Sequence, residues 1–301
     1  MISEFRELSR SLGFVAAGFS RPVRPPHADF LRRWILSGKH GEMAWLSRNW
    51  EIREDPTLLL KGCRTVVSLA FPYASAQSAS PEGLSVARYA SPFEDDYHEG
   101  LKERCAPLSR FIKERFPGSR TRVCVDSAPL MERDFACLSG VGFIGKNTQL
   151  IVPGLGSYVF LAEILTTAEL SETSPARVED GCGECTRCLE ACPTGALEAH
   201  YSVDASRCLS YLTIEWRGDV DRETGLRMGN CFLGCDRCQE VCPHNGPMRP
   251  HETVLPPASR LMAMDRTEFD LLFGRTALAR AGISKIRSNL KAVGVRVEAS
   301  C

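Results

Sequence analysis

Residues 182–193 read CGECTRCLEACP, with cysteines at 182, 185, 188 and 192 and a proline directly after the last. Spacings this tight let one short loop wrap three thiolates around one face of an iron–sulfur cubane. A second group follows: Cys208 stands alone, then Cys235, Cys238 and Cys242 repeat the pattern, again ending in proline. Paired Cys-x2-Cys groups also build tetrahedral zinc sites, but zinc takes four ligands per ion from two separated pairs. The run from Cys182 to Pro193 fits a 4Fe–4S cluster better, and the two groups together predict two of them.

In two-cluster ferredoxins the last cysteine of each run ligates the other cluster. That rule assigns Cys182, Cys185, Cys188 and Cys242 to one cluster and Cys192, Cys208, Cys235 and Cys238 to the other. The remaining cysteines, at 63, 105, 124, 137, 231 and 301, follow no spacing and read as small buried hydrophobes. Cys231 lies near the ligands but breaks their pattern.

Such a module needs only ~60 residues, and the chain has 301. That length suits two domains, or one large domain with an insertion, and supports a core without disulfides. Composition is ordinary, 44% hydrophobic and 25% charged, which excludes a disordered chain. The 37 basic and 37 acidic residues balance, which argues against non-specific coating of nucleic acid but not against a local basic patch. The N-terminus, MISEFRELSRSLGF, reads as an amphipathic helix without the apolar core of a secretory signal. No apolar run approaches a membrane span. A reducing, cytoplasmic compartment is expected, with thiols as metal ligands and no membrane partner.

Upstream of the cysteines, helical patterns are predicted near 3–12, 27–47, 97–115 and 129–139. Between them lie apolar runs: FVAAGF from Phe14, TVVSLAF from Thr65, RVCVD from Arg122, QLIV from Gln149 and YVFLAEIL from Tyr158. Helices alternating with buried strands indicate an α/β domain. The stretch YASAQSASPEG from Tyr73 reads as a surface loop, and SETSPARVEDG, 171–181, as a boundary. The expected division is 1–170, then a cluster module over 171–250, then a helical tail over 251–301 that packs on the core.

The stretch VDSAPLMERDFACLSGVGFIGKN from Val125 concentrates chemistry. Asp126 ends an apolar strand just before a turn and helix, where ligands bind in open α/β sheets, although a helix cap or Asx-turn suits the same position. GVGFIGKN, 140–147, nearly spells a phosphate-binding loop, yet Asn147 replaces the hydroxyl that would hold Mg²⁺ and the loop follows a helix. Nucleotide hydrolysis is excluded, while Lys146 remains able to reach a ligand. Glu132 and Arg133 read as an ordinary ion pair. His98, in DYHEG, reads as a helix-start or core histidine and not as a cobalt ligand.

Taken with HGEMAWL at 40, DYH at 96, VDSAPLMER at 125, GFIGKN at 142, GSYVFLAEILT at 156, RCLSYLTIE at 207 and GCDRCQEVCPHN at 234, the chain resembles the epoxyqueuosine reductases over residues 10–293. The resemblance implies an α/β (α+β) N-terminal domain that holds base-off cobalamin, a bacterial-ferredoxin-like two-cluster module and a short helical tail. It implies that electrons from an external low-potential donor reach cobalt through the two clusters. The epoxide of a modified base at the wobble position of a tRNA anticodon stem-loop then loses its oxygen as water. Asp126 matches the family's proton donor. Leu150, Leu161, Ser210 and Thr213 correspond to corrin-lining positions, and Arg53 and Arg88 to contacts with polar groups of cofactor or tRNA. Between Arg88 and DYH the family has a shorter, glycine-bearing turn where this chain has YASPFED, and longer members carry a helical-repeat domain beyond the point where this chain stops.

The tail supplies a basic signal: Arg275, Arg280, Lys285, Arg287, Lys291 and Arg296 occur from 271 to 296 without an acidic residue. Such a face grips phosphate or is simply solvated. A reductive-dehalogenase-like enzyme and a plain electron carrier are the competing functions, and a monomer is the expected state.

Overall fold

The computed structural model describes residues 1–73, 76–92, 95–170, 178–198, 201–247 and 252–295. The chain forms two compact units. The first comprises 1–38, 44–73 and 98–185, and the second 39–43, 74–97 and 186–301. This differs from the linear division expected from sequence: segments 39–43 and 74–97 join the cysteine module and the tail. Part of the expected 171–181 boundary lies outside the described residues.

The first unit is built on a four-stranded sheet with Ala16–Ser20, Thr65–Pro72, Val159–Thr166 and Thr121–Cys124 in that spatial order. Every pair is antiparallel. The alternation of helices and apolar runs leaves the direction of pairing open. A continuous apolar run reports burial on both faces, not the direction of its neighbours. Thr65–Pro72 shows this: six consecutive residues from Thr65 are buried.

Helix α1 (Ile2–Ser11) sends Phe5 into the core, edge-on to Phe19 at 5.3 Å. Helix α2 (Ala28–Leu36) stops well short of the predicted 27–47, and a 3-10 turn at Ala44–Ser47 and helix α3 (Trp50–Glu54) follow separately. Helix α4 (Tyr97–Arg115) buries Leu101, Cys105, Leu108 and Ile112, one stripe at helical spacing. Helix α5 (Glu132–Leu138) lies on the sheet where Gly18 leaves room; a Cβ there would sit 2.2 Å from the Ser139 carbonyl oxygen. Apolar clusters around Phe135, Val66 and Leu165, and around Ala136, Leu150 and Val152, fix α5 and the loop before it.

The second unit has a core of its own. Leu209, Ile214, Phe232 and Leu233 from the cysteine module pack with Phe269, Phe273, Leu278, Ile286 and Leu290 from the tail. The tail is therefore part of this unit's core. Its basic residues are largely committed: Arg280 pairs with Glu215, Arg287 donates to the Met264 carbonyl, and Lys285 is buried, donating to Gly218 O with its ammonium over the Trp216 ring. Arg275 stays exposed in an ion pair with Asp95, and Arg296 lies outside the described residues. No described helix is long and apolar enough to cross a membrane.

Candidate functional site

Asp126 sits two residues beyond the strand Thr121–Cys124, with φ of 51°. A non-glycine residue in the left-handed region costs about 1–2 kcal/mol, least for Asp and Asn. Two contacts hold it there. Its backbone N–H donates to Glu132 Oε1 at 2.6 Å, and its Oδ2 lies 3.0 Å from His98 Nε2. His98 is the second residue of α4, with a side chain only 17% exposed. The Asp126 side chain is 52% exposed, so the first unit's own side chains leave it open to a ligand or solvent.

Glu132 is not the surface ion-pair partner expected. Its carboxyl turns inward toward that of Glu163, and burial followed by the charge of Asp126 raises its proton affinity. Glu163 lies fully buried in the strand Val159–Thr166, and burial followed by Glu132 lifts it well above the ordinary carboxyl range. Arg133 instead donates to the Thr148 carbonyl. Sequence reading missed Glu163; the signal was a lone acid within the apolar run YVFLAEIL.

The near-phosphate loop has a different use. Phe143–Ile144 and Leu150–Ile151 form a small hairpin, and a Cβ at Gly142 would sit 2.3 Å from the Ile151 carbonyl oxygen. Lys146 Nζ donates to the carbonyls of Gly183 (2.5 Å) and Cys185 (3.1 Å), and its backbone N–H points at Cys182 Sγ at 3.4 Å. The lysine grips the first cysteine loop.

Cys182 and Cys185 close the first unit, and the other six predicted ligands belong to the second. In the second unit Cys192, Cys208, Cys235 and Cys238 lie within one another's electrostatic field, and Cys238 also feels Cys188. Cys242 follows the short helix Arg237–Glu240, at the position that Cys192 holds after Arg187–Glu190. Every described cysteine is free. Among the described residues no three His, Cys, Asp or Glu side chains converge to hold a single metal ion.

The donor set suits clusters. Burial raises the Cys192 thiol, but N–H groups of Leu197, Thr194 and Ala196 outweigh it and favour the thiolate. Burial lifts Cys208, against N–H groups of Tyr211 and Ser210, and pushes Cys235 up to about 12, against that of Arg237. Backbone N–H groups aimed at sulfur are how proteins tune iron–sulfur clusters. Cys231, by contrast, donates its thiol hydrogen to the Leu233 and Gly234 carbonyls, as a buried thiol does.

The positions carried over for a corrin are divided. In the first unit Leu150 is buried, Leu161 packs beside it and is partly exposed, and Arg53 is buried on α3 with its Nε lacking a hydrogen-bond partner among the described residues. Trp50 Nε1, one turn earlier, also lacks one. Two buried donors in need of acceptors fit a ligand rich in amides and phosphate. In the second unit Thr213 is fully buried, donates to Leu209 O and accepts the Gly234 N–H. Ser210 is half-buried beside it. Arg88 is buried next to Asp236, whose Oδ2 accepts its backbone N–H at 2.7 Å.

Comparison with known proteins decides the family. Residues 53–127 match the family model of epoxyqueuosine reductase QueG, DUF1730, and residues 181–245 match a 4Fe-4S double cluster binding domain. A curated epoxyqueuosine reductase of Cyclobacterium marinum is 36% identical over 95% of this chain and 94% of its own length. The chain belongs to the epoxyqueuosine reductase family. A crystal structure of an epoxyqueuosine reductase with an epoxyqueuosine-modified tRNA-Tyr stem loop superposes with a TM-score of 0.82 at 31% identity, covering 97% of this chain and 80% of that one. The mixed α/β fold is thus that of the epoxyqueuosine reductases. The catabolic reductive dehalogenase NpRdhA shares the fold more distantly, with a TM-score of 0.50 and 13% identity over 81% of this chain and 32% of that one.

Proposed function

We propose that this protein reduces epoxyqueuosine to queuosine at the wobble position of a tRNA. Two 4Fe–4S clusters on the eight predicted cysteines would carry electrons, one at a time, from an external low-potential donor to a bound base-off cobalamin. When bound, the cobalamin would supply the low-potential metal centre that opens the epoxide. Arg53, Leu150 and Leu161 are the residues of the first unit that would hold it. The reaction takes up two electrons and two protons and releases the epoxide oxygen as water, leaving an alkene.

One observation carries the reading: an aspartate in the family's VDSAPLMER stretch, held left-handed beside His98 and half exposed. Opening an epoxide generates an alkoxide, and a positioned acid accelerates such a step by about 10²–10⁴-fold. Asp126 would give that oxygen its proton, with His98 orienting the carboxyl. The protein is expected to act as a monomer in the cytoplasm.

The test uses anaerobically purified protein, cobalamin, a low-potential reductant and an epoxyqueuosine-modified tRNA stem-loop, scored by nucleoside mass spectrometry. Conversion should require cobalamin and should drop about 10²–10⁴-fold in Asp126→Ala. No conversion by protein with intact clusters and bound cobalamin would sink this reading.

A further inference from the structure

Two arginines outside the reaction as written close on the turn that follows Cys192. Gly195 N–H donates back to Cys192 O at 3.1 Å, and Thr194 Oγ1 lies 3.8 Å from Cys192 Sγ, so residues 192–195 fold around the sulfur. Two successive carbonyls of that turn are taken by guanidinium groups. Arg227, in the last turn of the helix Arg222–Met228, donates through Nη1 to Pro193 O at 2.9 Å. Arg207 ends the 3-10 turn Ala205–Arg207, directly before Cys208, and donates through Nη2 to Thr194 O at 2.6 Å. Gly195 makes room for Arg207: its φ is 60°, and a Cβ there would sit 3.1 Å from Arg207 Nη2. The matching turn after Cys242 closes in the same way, with Asn245 N–H on Cys242 O at 3.0 Å. It carries Asn245 in place of Gly195, and Asn245 Nδ2 turns back to Gln239 O at 2.7 Å.

Each arginine contact does two things. A guanidinium stays charged in proteins, so two positive charges are fixed within two residues of a predicted cluster ligand. It also polarises the peptide it holds. Pro193 C=O and Thr194 N–H belong to one peptide unit, and a cation on the carbonyl makes the N–H a stronger donor. That N–H is among the groups that favour the Cys192 thiolate. Reducing a 4Fe–4S cluster adds one electron and one negative charge, and net charge and hydrogen bonds to sulfur set the potential at which it occurs. Acids temper the effect. Glu223 pairs with Arg227 at 2.9 Å and Asp221 lies in its field, while Arg207 acts on Glu198, which Lys39 holds at 2.5 Å. Both guanidinium groups are on exposed residues, so water and salt screen them.

We propose that Arg207 and Arg227 raise the reduction potential of the cluster carried by Cys192, Cys208, Cys235 and Cys238, and so ease electron transfer to it from the donor. They touch the turn and not the reacting atoms, and are positioning residues. The inference rests on the proposed assignment of those four cysteines to one cluster.

The test is an anaerobic redox titration of the full chain with both clusters loaded, poised with dithionite and followed by EPR. Cys208→Ser identifies the signal of this cluster by its loss. The double variant Arg207→Gln/Arg227→Gln keeps amide donors and removes both charges. Its midpoint at this cluster should fall by about 59 mV, a tenfold loss in the one-electron reduction equilibrium. The other midpoint should stay. Arg227→Lys, which keeps the charge, should lie near wild type. Glu223→Gln frees Arg227 of its anion and should move the same midpoint up, a direction that loosened packing alone does not predict. An unchanged midpoint in the double variant, an equal fall at both clusters, or an unchanged or lower midpoint in Glu223→Gln overturns the proposal. If the double variant does not keep its clusters, Glu223→Gln decides alone. If Cys208→Ser keeps both signals, the cysteine assignment fails and the proposal with it. If wild-type protein with both clusters converts no epoxyqueuosine, the proposed function fails, while the midpoints still decide the role of the arginines.

Discussion

In the second unit Cys192, Cys208, Cys235 and Cys238 are gathered by short helices and turns, and backbone N–H groups a few residues away act on their sulfurs. In the first unit Asp126 is held by His98, 28 residues upstream, and by Glu132, whose carboxyl meets Glu163 on another strand. In one, the groups acting on each sulfur are nearby main chain; the other depends on strand register and on side chains brought from afar. A local site survives small shifts elsewhere in its unit. A register-built site does not, because moving a strand by one residue turns each of its side chains to the opposite face.

The sharpest way to break this contrast is Cys208→Ser. It should remove one cluster, lowering iron per chain by about half, and abolish turnover. The carbon resonance of Asp126 should stay where it is, because the two arrangements share no element; iron analysis and NMR on the same sample check both. A moved Asp126 signal would show that the sites are not independent.

A smaller effect sharpens the acid side. Burial raises Glu132 and Glu163 above 4.5, so the folded chain binds protons that the unfolded chain releases. The stability they contribute is full below the ordinary carboxyl range and is lost as pH climbs through their raised values. Each tenfold of proton affinity is worth about 1.4 kcal/mol. Denaturant midpoints across a pH series should fall more steeply with rising pH for wild type than for Glu163→Gln; parallel curves would show that the raised proton affinity of Glu163 contributes nothing to the pH dependence of stability.

The smallest effect belongs to the tail. Arg275 and Asp95 pair at 2.6 Å with side chains 84% and 61% exposed, so Arg275→Ala should cost less than about 1 kcal/mol in thermal unfolding. A larger loss would mean that the tail's basic residues are as structural at the surface as Lys285 is inside.

The same contrast explains what the sequence made legible. Cysteine spacing is a local quantity, and the runs at 182–193 and 235–243 could be read directly. The strands from Thr65 and Tyr158 were visible as apolar runs, but their antiparallel pairing was not, since burial on both faces looks alike in either direction. Asp126 was legible as a strand-end acid, whereas Glu163 was hidden, because its meaning comes from the register that sets it opposite Cys124. His98 was placed correctly at a helix start, but its contact with Asp126 depends on how α4 lies against the sheet. The hydroxyl of Thr213 donates to Leu209 O and accepts the Gly234 N–H, contacts that no spacing announces.

Lys146 bears on how the finished protein comes to be assembled. Its ammonium holds the carbonyls of Gly183 and Cys185, and its N–H reaches Cys182 Sγ, all from a hairpin stiffened by its glycines. The loop bearing the first two thiols is therefore held by protein contacts in addition to any bound iron. A metal site whose ligands are already ordered spends less of its binding energy on ordering them.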